Sequence, residues 1–336
     1  MEHTVVITRP EFEKGRPEFT SHEDLAVRVS PPDEATLARH VRESGSRAVI
    51  VGVSPYGGPL YEALGETAGS RDALIARFGV GHETIDKSRA RKNGILVTNT
   101  PGVLDRSVAE HTVGLVLALA RHVASVSADM TSGHWSPREG REIGGKEVAV
   151  VGFGAIGRRV SQVLHFGLGA HVTAVDALPP EEMAEQTGTP LDELLTTSGA
   201  KRYSTDVMSA LPDADIVTLH IPGNAATRHF MNAHRLGRMK SSAFLINTSR
   251  GMVLDEVALF DALEAGNLAG AALDVFENEP YVPVAGEKDL RDLDNILLTP
   301  HVGSNTREAN GRMALASLRN VVTFLNGKLA DLNRVT

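Results

Sequence analysis

The chain has 336 residues, a formal net charge of -8 and no cysteine. That length exceeds one ordinary core and implies roughly two domains, and 42% hydrophobic residues are enough to fill both. The acidic balance argues against nucleic acid as a partner, because phosphate contacts need a basic face. The absence of cysteine excludes disulfides, thiolate chemistry and Cys-ligated zinc, and fits a reducing cytoplasm.

In chain order, the segment Met1-Glu2-His3-Thr4-Val5-Val6-Ile7-Thr8-Arg9 has too short an apolar run for a signal peptide. Short β-branched runs follow at 4–8, 48–53, 73–78 and 94–98, then at 147–151, 171–175, 215–220, 243–247, 269–274 and 295–299. Helical patterns fill most gaps, for instance 33–43 and 255–265. This alternation predicts parallel sheets in a doubly wound α/β architecture. The apolar run 113–120 is far shorter than the roughly twenty residues of a spanning helix, so no membrane is expected. Ser107-Val108-Ala109-Glu110 fits a capping box. It opens a single long helix whose apolar residues, 108–123, fall on nearly every face. Such a helix is buried, either in the core of its own chain or against a second subunit, and periodicity leaves both open.

The most specific signal lies between Val148 and Asp176. Val148-Ala149-Val150-Val151 leads into Gly152-Phe153-Gly154-Ala155-Ile156-Gly157, followed by helix formers at 158–166, a second strand and Asp176. Gly152 permits a tight turn, Gly154 lets the backbone approach a pyrophosphate, and Gly157 lets helix and strand pack closely. The helix N-terminus offers N–H groups and a positive dipole end to phosphates. Asp176, nineteen residues past Gly157, stands where a carboxylate accepts hydrogen bonds from both ribose hydroxyls, which points to NAD. A glycine turn alone is weak evidence; in this strand–turn–helix–strand–carboxylate setting the purely structural alternative is remote.

Three later segments deliver chemistry at strand ends: Leu245-Ile246-Asn247-Thr248-Ser249-Arg250-Gly251, Leu273-Asp274-Val275-Phe276-Glu277-Asn278-Glu279-Pro280, and Ile296-Leu297-Leu298-Thr299-Pro300-His301-Val302-Gly303-Ser304. Ligands of open α/β sheets bind outside the carboxyl ends of strands, so these side chains converge near the cofactor. Arg250 can clamp a carboxylate bidentately. His301 can protonate a developing alkoxide, and Glu279 can hold the imidazole and favour its charged form. Singly, each residue is better explained as a surface Arg, a solvated Glu or a His capping a helix; jointly, behind a dinucleotide motif, they form a set suited to reducing a keto acid.

With these motifs, and with Arg77-Phe78-Gly79-Val80-Gly81, Asn99-Thr100-Pro101-Gly102 and Ala109-Glu110-His111, the chain resembles the D-isomer-specific 2-hydroxyacid dehydrogenase family from about Ile50 to Ser304. The resemblance implies a Rossmann NAD-binding domain at 104–304 and a smaller, flavodoxin-like substrate domain formed by 1–103 and 305–336. It implies that Arg250 binds the substrate carboxylate, that His301 is the general acid/base and that Glu279 pairs with it. Backbone N–H groups around Val80 and Gly81 would help to hold the carboxylate. Gly152, Gly154, Ile156, Gly157, Asp176, Thr248, Asp274, His301 and Gly303 would line the NAD site, Asp274 beside the nicotinamide amide. A homodimer through 107–121 and a small 2-keto or 2-hydroxy acid as substrate are expected, and no metal is.

Departures narrow the substrate. Phosphoglycerate dehydrogenases resembling this chain carry Arg where Gly52 stands, and the following 53–58 has no cation for a phosphate. The chain also ends at Thr336, without room for an added regulatory domain. Formate dehydrogenases place Gln at the position of Glu279. Segment 177–200 holds five acidic residues and no Lys or Arg, and reads as a solvated loop bearing on cofactor choice. His82, His111, His122, His134, His165, His171, His229 and His234 read as structural or surface residues without zinc-ligand spacing. His220 ends a strand near the expected cofactor edge, where a supporting contact is possible. Two alternatives to a small-acid reductase stay open: a phosphoglycerate dehydrogenase-type enzyme, and a non-catalytic NAD-sensing, corepressor-like binding protein on the same fold.

Overall fold

A computed structural model describes residues 3–21 and 25–335. The chain divides into two compact units, Met1–Leu104 with Ser304–Thr336, and Asp105–Gly303.

The first unit holds five parallel strands: β1 (His3–Thr8), β2 (Leu25–Ser30), β3 (Ala48–Val51), β4 (Ala73–Arg77) and β5 (Ile95–Thr98). Their order is β2-β1-β3-β4-β5, the flavodoxin-like winding. The apolar runs at β3 and β4 are fully buried, as expected for strands covered on both faces. Val6, Val49, Val51, Ile75 and Val97 share one cluster with Leu37, Val41 and Leu60 from the helices Glu34–Ser44 and Pro59–Ala68. The long helix Arg307–Leu325 also belongs to this unit, and Thr306 caps it by accepting the Ala309 N–H at 3.1 Å.

The second unit is a seven-stranded parallel sheet: β6 (Glu147–Val151), β7 (His171–Val175), β8 (Ala200–Ser204), β9 (Ile216–Leu219), β10 (Phe244–Asn247), β11 (Gly270–Leu273) and β12 (Ile296–Leu298). Their order is β12-β11-β10-β9-β6-β7-β8. The winding direction therefore reverses between β6 and β9, which leaves a crevice at the carboxyl ends of the strands there. Alternate residues feed opposite cores. Ala149, Val151, Val217, Leu219 and Leu245 lie in one cluster, and Val148, Val150, Ile216, Phe244 and Ile246 in the other. No single helix among the described residues is long and apolar enough to cross a membrane.

Several expectations need correction. The connecting helix begins at Asp105, so Ser107 is an interior, buried residue rather than an N-cap. Glu110 is exposed and pairs with Arg106 at 2.8 Å instead of closing a capping box. The helix stops at Ala120; His122 adopts φ 53°, and a second helix runs Val123–Thr131. Segment 177–200 is not a loop. It folds into the helices Pro180–Thr187 and Leu191–Ser198, which bury Met183 and Leu194. Each starts next to a proline, carries acidic residues in its first turn where the helix dipole favours them, and ends on a left-handed glycine, Gly188 or Gly199. The helix after the glycine turn begins at Ala155, earlier than expected, and becomes a π-helix at Val163–Gly167. The strands β2 and β8 carry no β-branched run that marks them in the sequence. Both lie at sheet edges and are partly exposed, and Arg28, Lys201 and Arg202 break their apolar pattern. Charged edges of this kind discourage strand addition from another chain.

Candidate active site

The glycine turn follows β6 directly. Gly152 has φ 95°, and a Cβ there would stand 2.4 Å from the His220 carbonyl oxygen, so only glycine fits. A Cβ on Gly157 would stand 2.0 Å from the Gly152 carbonyl oxygen. Gly154 has no atom within 4 Å of its Cβ position. With Ala155 it is exposed at the start of the helix Ala155–Gln162, and Ile156 is half-buried beside them. Asp176, at the end of β7, accepts the Phe153 N–H at 2.7 Å and the Leu178 N–H at 3.1 Å. Those two bonds fix the carboxylate next to the turn. Crowding at Gly152 and Gly157, an open Gly154 and a tethered carboxylate on the next strand are what a dinucleotide needs, so the residues present fit NAD.

The three later segments stand at the ends of β10, β11 and β12 on the same sheet edge. After β10, Asn247 organises the turn: its Oδ1 accepts from the Ser249 N–H and hydroxyl at 3.0 and 2.8 Å, and its Nδ2 donates to the Arg250 carbonyl at 2.9 Å. Thr248 shares a 2.8 Å hydrogen bond with Thr112 of the helix Asp105–Ala120. Arg250 is half-buried, and its Nη1 donates to the Ser249 carbonyl at 2.6 Å.

After β11, Asp274 is 1% exposed. It accepts from the Thr299 hydroxyl at 2.6 Å, the Val302 N–H at 2.9 Å and the Gly303 N–H at 2.8 Å, and lies 3.3 Å from His111 Nε2. Burial works against its charge, but the His111, Thr299 and backbone bonds prevail and hold its carboxyl below the usual range. Asp274 thereby pins the segment that carries His301. His301 itself adopts φ 52°, and its Nδ1 lies 2.7 Å from Glu279 Oε2. Glu279 Oε1 accepts the Phe276 N–H at 3.0 Å. Burial raises the Glu279 carboxyl, yet the His301 hydrogen bond and charge, the Phe276 N–H and the Arg250 charge together bring it below the ordinary value. Both side chains of the pair are about one-third exposed, so the imidazole is accessible.

Gly152, Gly154, Ile156, Gly157, Asp176, Thr248, Arg250, Asp274, Glu279, His301 and Gly303 thus all belong to the second unit. Val80 and Gly81 belong to the first. They follow β4 in a turn where Gly79 has φ 131°, its N–H donates to Thr100 Oγ1 at 3.1 Å, and Asn99 Nδ2 donates to the Val80 carbonyl at 2.8 Å.

Sequence reasoning treated His111 as unremarkable, although the structure puts it against Asp274 and Thr299. Its place in the Ala109-Glu110-His111 motif was the one available signal. His220 is half-buried, bonds Thr218 Oγ1 at 2.9 Å, and is pushed down to about 3 by desolvation. It is therefore neutral, and its backbone carbonyl forms the floor beneath Gly152. Gly52 has a structural reason of its own: a Cβ there would stand 1.9 Å from Glu11 Oε1. Arg89, from the helix Lys87–Lys92, brings its Nη1 to 2.9 Å from the Cβ position of Gly58 in the loop after β3, and is paired with Asp86 at 3.3 Å.

Residues 113–303 match the family described as "D-isomer specific 2-hydroxyacid dehydrogenase, NAD binding domain". The chain is 32% identical to a glyoxylate reductase of Korarchaeum cryptofilum over 98% of its own length and 95% of the relative's. It is 35% identical to a D-3-phosphoglycerate dehydrogenase of Methanocaldococcus jannaschii over 77% of its length, but that match spans 46% of the relative. Among solved structures, a D-lactate dehydrogenase from Aquifex aeolicus complexed with NAD and lactic acid superposes with a TM-score of 0.79 and 25% identity, covering 98% of each chain. The chain belongs to the D-isomer specific 2-hydroxyacid dehydrogenase family and is an NAD-dependent dehydrogenase.

Proposed function

We propose that the protein interconverts a small, unphosphorylated 2-keto acid and its D-2-hydroxy acid, with His301 as the proton donor and acceptor. The observation that carries this reading is the 2.7 Å contact between His301 Nδ1 and Glu279 Oε2, placed on the sheet edge that also bears the dinucleotide turn. Glu279 as a carboxylate accepts the Nδ1–H, which leaves Nε2 as the ring atom that exchanges a proton with substrate oxygen. Bound NAD(H) supplies or accepts the hydride at its nicotinamide ring. In reduction, His301 gives its proton to the carbonyl oxygen as the keto carbon gains the hydride; in oxidation the proton returns to Nε2. Arg250 would clamp the carboxylate and polarise the carbonyl through its planar fork of donors. Val80 and Gly81 are the remaining candidates for holding that carboxylate.

A specific feature argues against a phosphorylated substrate. The N-terminus of the helix Pro59–Ala68, which follows the loop after β3, is a natural anion site. Here Glu34 fills it, accepting the N–H groups of Gly57, Gly58 and Leu60 at 2.8, 2.9 and 3.1 Å. The intact acid/base pair likewise favours an enzyme over a corepressor-like NAD sensor, which would need no such pair. A homodimer is supported by Leu117, Val123, Met130 and Trp135, which are 37, 52, 54 and 83% exposed along the paired helices and the segment after them. Sedimentation measures that state directly.

NADH oxidation with glyoxylate, hydroxypyruvate, pyruvate, phenylpyruvate and phosphohydroxypyruvate tests the substrate reading. Turnover confined to unphosphorylated acids supports it. A kcat/KM highest for phosphohydroxypyruvate, or no turnover of any keto acid, refutes it.

A further inference from the structure

Two buried carboxylates beside the Glu279–His301 pair take no part in the proton transfer described above. Glu256 is 4% exposed, and the Glu277 side chain 8%. Glu256 Oε1 accepts the backbone N–H of Glu277 at 2.6 Å. Glu277 Oε2 accepts from His229 Nε2 at 2.9 Å and from Arg228 Nη2 at 3.2 Å. His229 in turn donates its backbone N–H to the Met252 carbonyl at 2.8 Å. Between these bonds the two segments touch: a Cβ on Gly251 would stand 1.8 Å from the Phe276 carbonyl carbon and 2.4 Å from the Glu277 nitrogen. The turn that carries Arg250 and the turn that carries Glu279 are therefore stitched together at Gly251, Glu256 and Glu277.

Stability alone does not call for carboxylates here. Burying an ionisable side chain costs free energy unless its oxygens are fully bonded. Glu256 Oε2 and Glu277 Oε1 are both buried with no hydrogen-bond partner among the described residues. Desolvation pushes the Glu256 carboxyl up to about 7; the Glu277 and Glu279 charges add to the rise, and the Glu277 N–H and His229 oppose it. An apolar residue in the first turn of the helix Glu256–Glu264 would avoid that cost, but would offer the Glu277 N–H no acceptor.

We propose that Glu256 and Glu277 are positioning residues. They hold the Phe276–Glu279 turn against the Arg250 turn, so that the acid/base pair and the carboxylate clamp keep one fixed relation. The proposal rests on the assignment of Arg250, Glu279 and His301 above. Positioning errors of about 1 Å cost on the order of 10²-fold in rate, so loss of the Glu256 acceptor should be visible in kcat.

The test compares wild type, Glu256→Ala, Glu256→Gln and His301→Ala in keto-acid reduction, with NADH affinity and binding stoichiometry from fluorescence titration. Glu256→Ala should lower kcat roughly 10- to 100-fold and raise KM for the keto acid, while NADH titrates a full complement of sites with unchanged Kd. Glu256→Gln keeps an acceptor for the Glu277 N–H and should restore kcat to within about threefold of wild type, a small fraction of the positional loss. Three results overturn the proposal: Glu256→Ala with wild-type kcat, Glu256→Ala whose activity falls only in proportion to lost NADH sites, or Glu256→Gln as impaired as Glu256→Ala. His301→Ala separates the two levels. If it retains wild-type rates, the proton-transfer assignment itself fails; if it is inactive while Glu256→Ala keeps wild-type kcat, only the positioning role fails.

Discussion

A Cβ on Gly157 would stand 2.0 Å from the carbonyl oxygen of Gly152. The obstructing atom is backbone at the mouth of β6, with no flexible side chain to swing away. Gly157→Ala should therefore cost about 3 kcal/mol or more, in the range of severe core overpacking. At Gly154 the backbone is extended (φ -69°) and the Cβ position is open. Gly154→Ala should leave Tm almost unchanged yet raise Kd for NADH, because the methyl group stands where the pyrophosphate must approach. Thermal melts with NADH titration check both. Unaltered NADH binding in a folded Gly154→Ala protein would argue against this turn as the phosphate site.

Cofactor choice should follow Asp176. Held by the Phe153 and Leu178 N–H groups, its carboxylate cannot easily turn away from a 2′-phosphate. NADH should be preferred to NADPH by at least about tenfold in kcat/KM, equivalent to about 1.4 kcal/mol. Asp176→Asn should narrow the ratio. Equal kcat/KM with the two cofactors would contradict the assignment.

The dinucleotide turn and the strand ends were legible in the sequence for one physical reason. Strands such as β9, β10 and β11 are buried on both faces, so they print as continuous apolar runs, and the polar residues that follow mark the sheet edge. The edge strands β2 and β8 print no such run, because Arg28, Lys201 and Arg202 face solvent there. The helices at 180–198 carry start and stop signals, but their acidic first turns resemble a solvated loop in the sequence. Pairings across long sequence distance had no local sign at all. His111 meets Thr299 across 188 residues. Glu256, in a first helical turn, looks like an ordinary dipole-complementing charge until tertiary packing buries it against Glu277.

Glu256 also makes stability depend on pH. Its carboxyl is raised from 4.5 to about 7 in the folded protein, so the folded state holds a proton that the unfolded chain releases. The associated stability is complete below pH 4.5 and is lost as pH climbs through about 7. The shift corresponds to about 3 kcal/mol. Glu256→Gln cannot ionise, so its Tm relative to wild type should be higher at pH 8 than at pH 5. A Tm difference that is constant with pH would rule out a titrating Glu256.

Arg250 should resist conservative replacement. Lys supplies a point charge without the bidentate fork. Arg250→Lys should raise KM for the keto acid and lower kcat, with Kd for NADH nearly unchanged. Wild-type kinetics in this variant would remove Arg250 as the carboxylate clamp.

The central claim is that His301, held by Glu279, carries the proton. The most direct measurement is kcat/KM for keto-acid reduction across pH in wild type, Glu279→Gln and His301→Ala. Reduction requires a protonated imidazole, so wild-type kcat/KM should fall as pH rises. Glu279→Gln keeps the shape but removes the carboxylate charge beside the imidazole, so kcat/KM for reduction should fall below wild type. His301→Ala should lose that limb and about 10²–10⁴ in rate, the usual worth of a positioned acid. A His301→Ala enzyme with wild-type rate and pH dependence, or a Glu279→Gln enzyme with wild-type kcat/KM, would contradict the account.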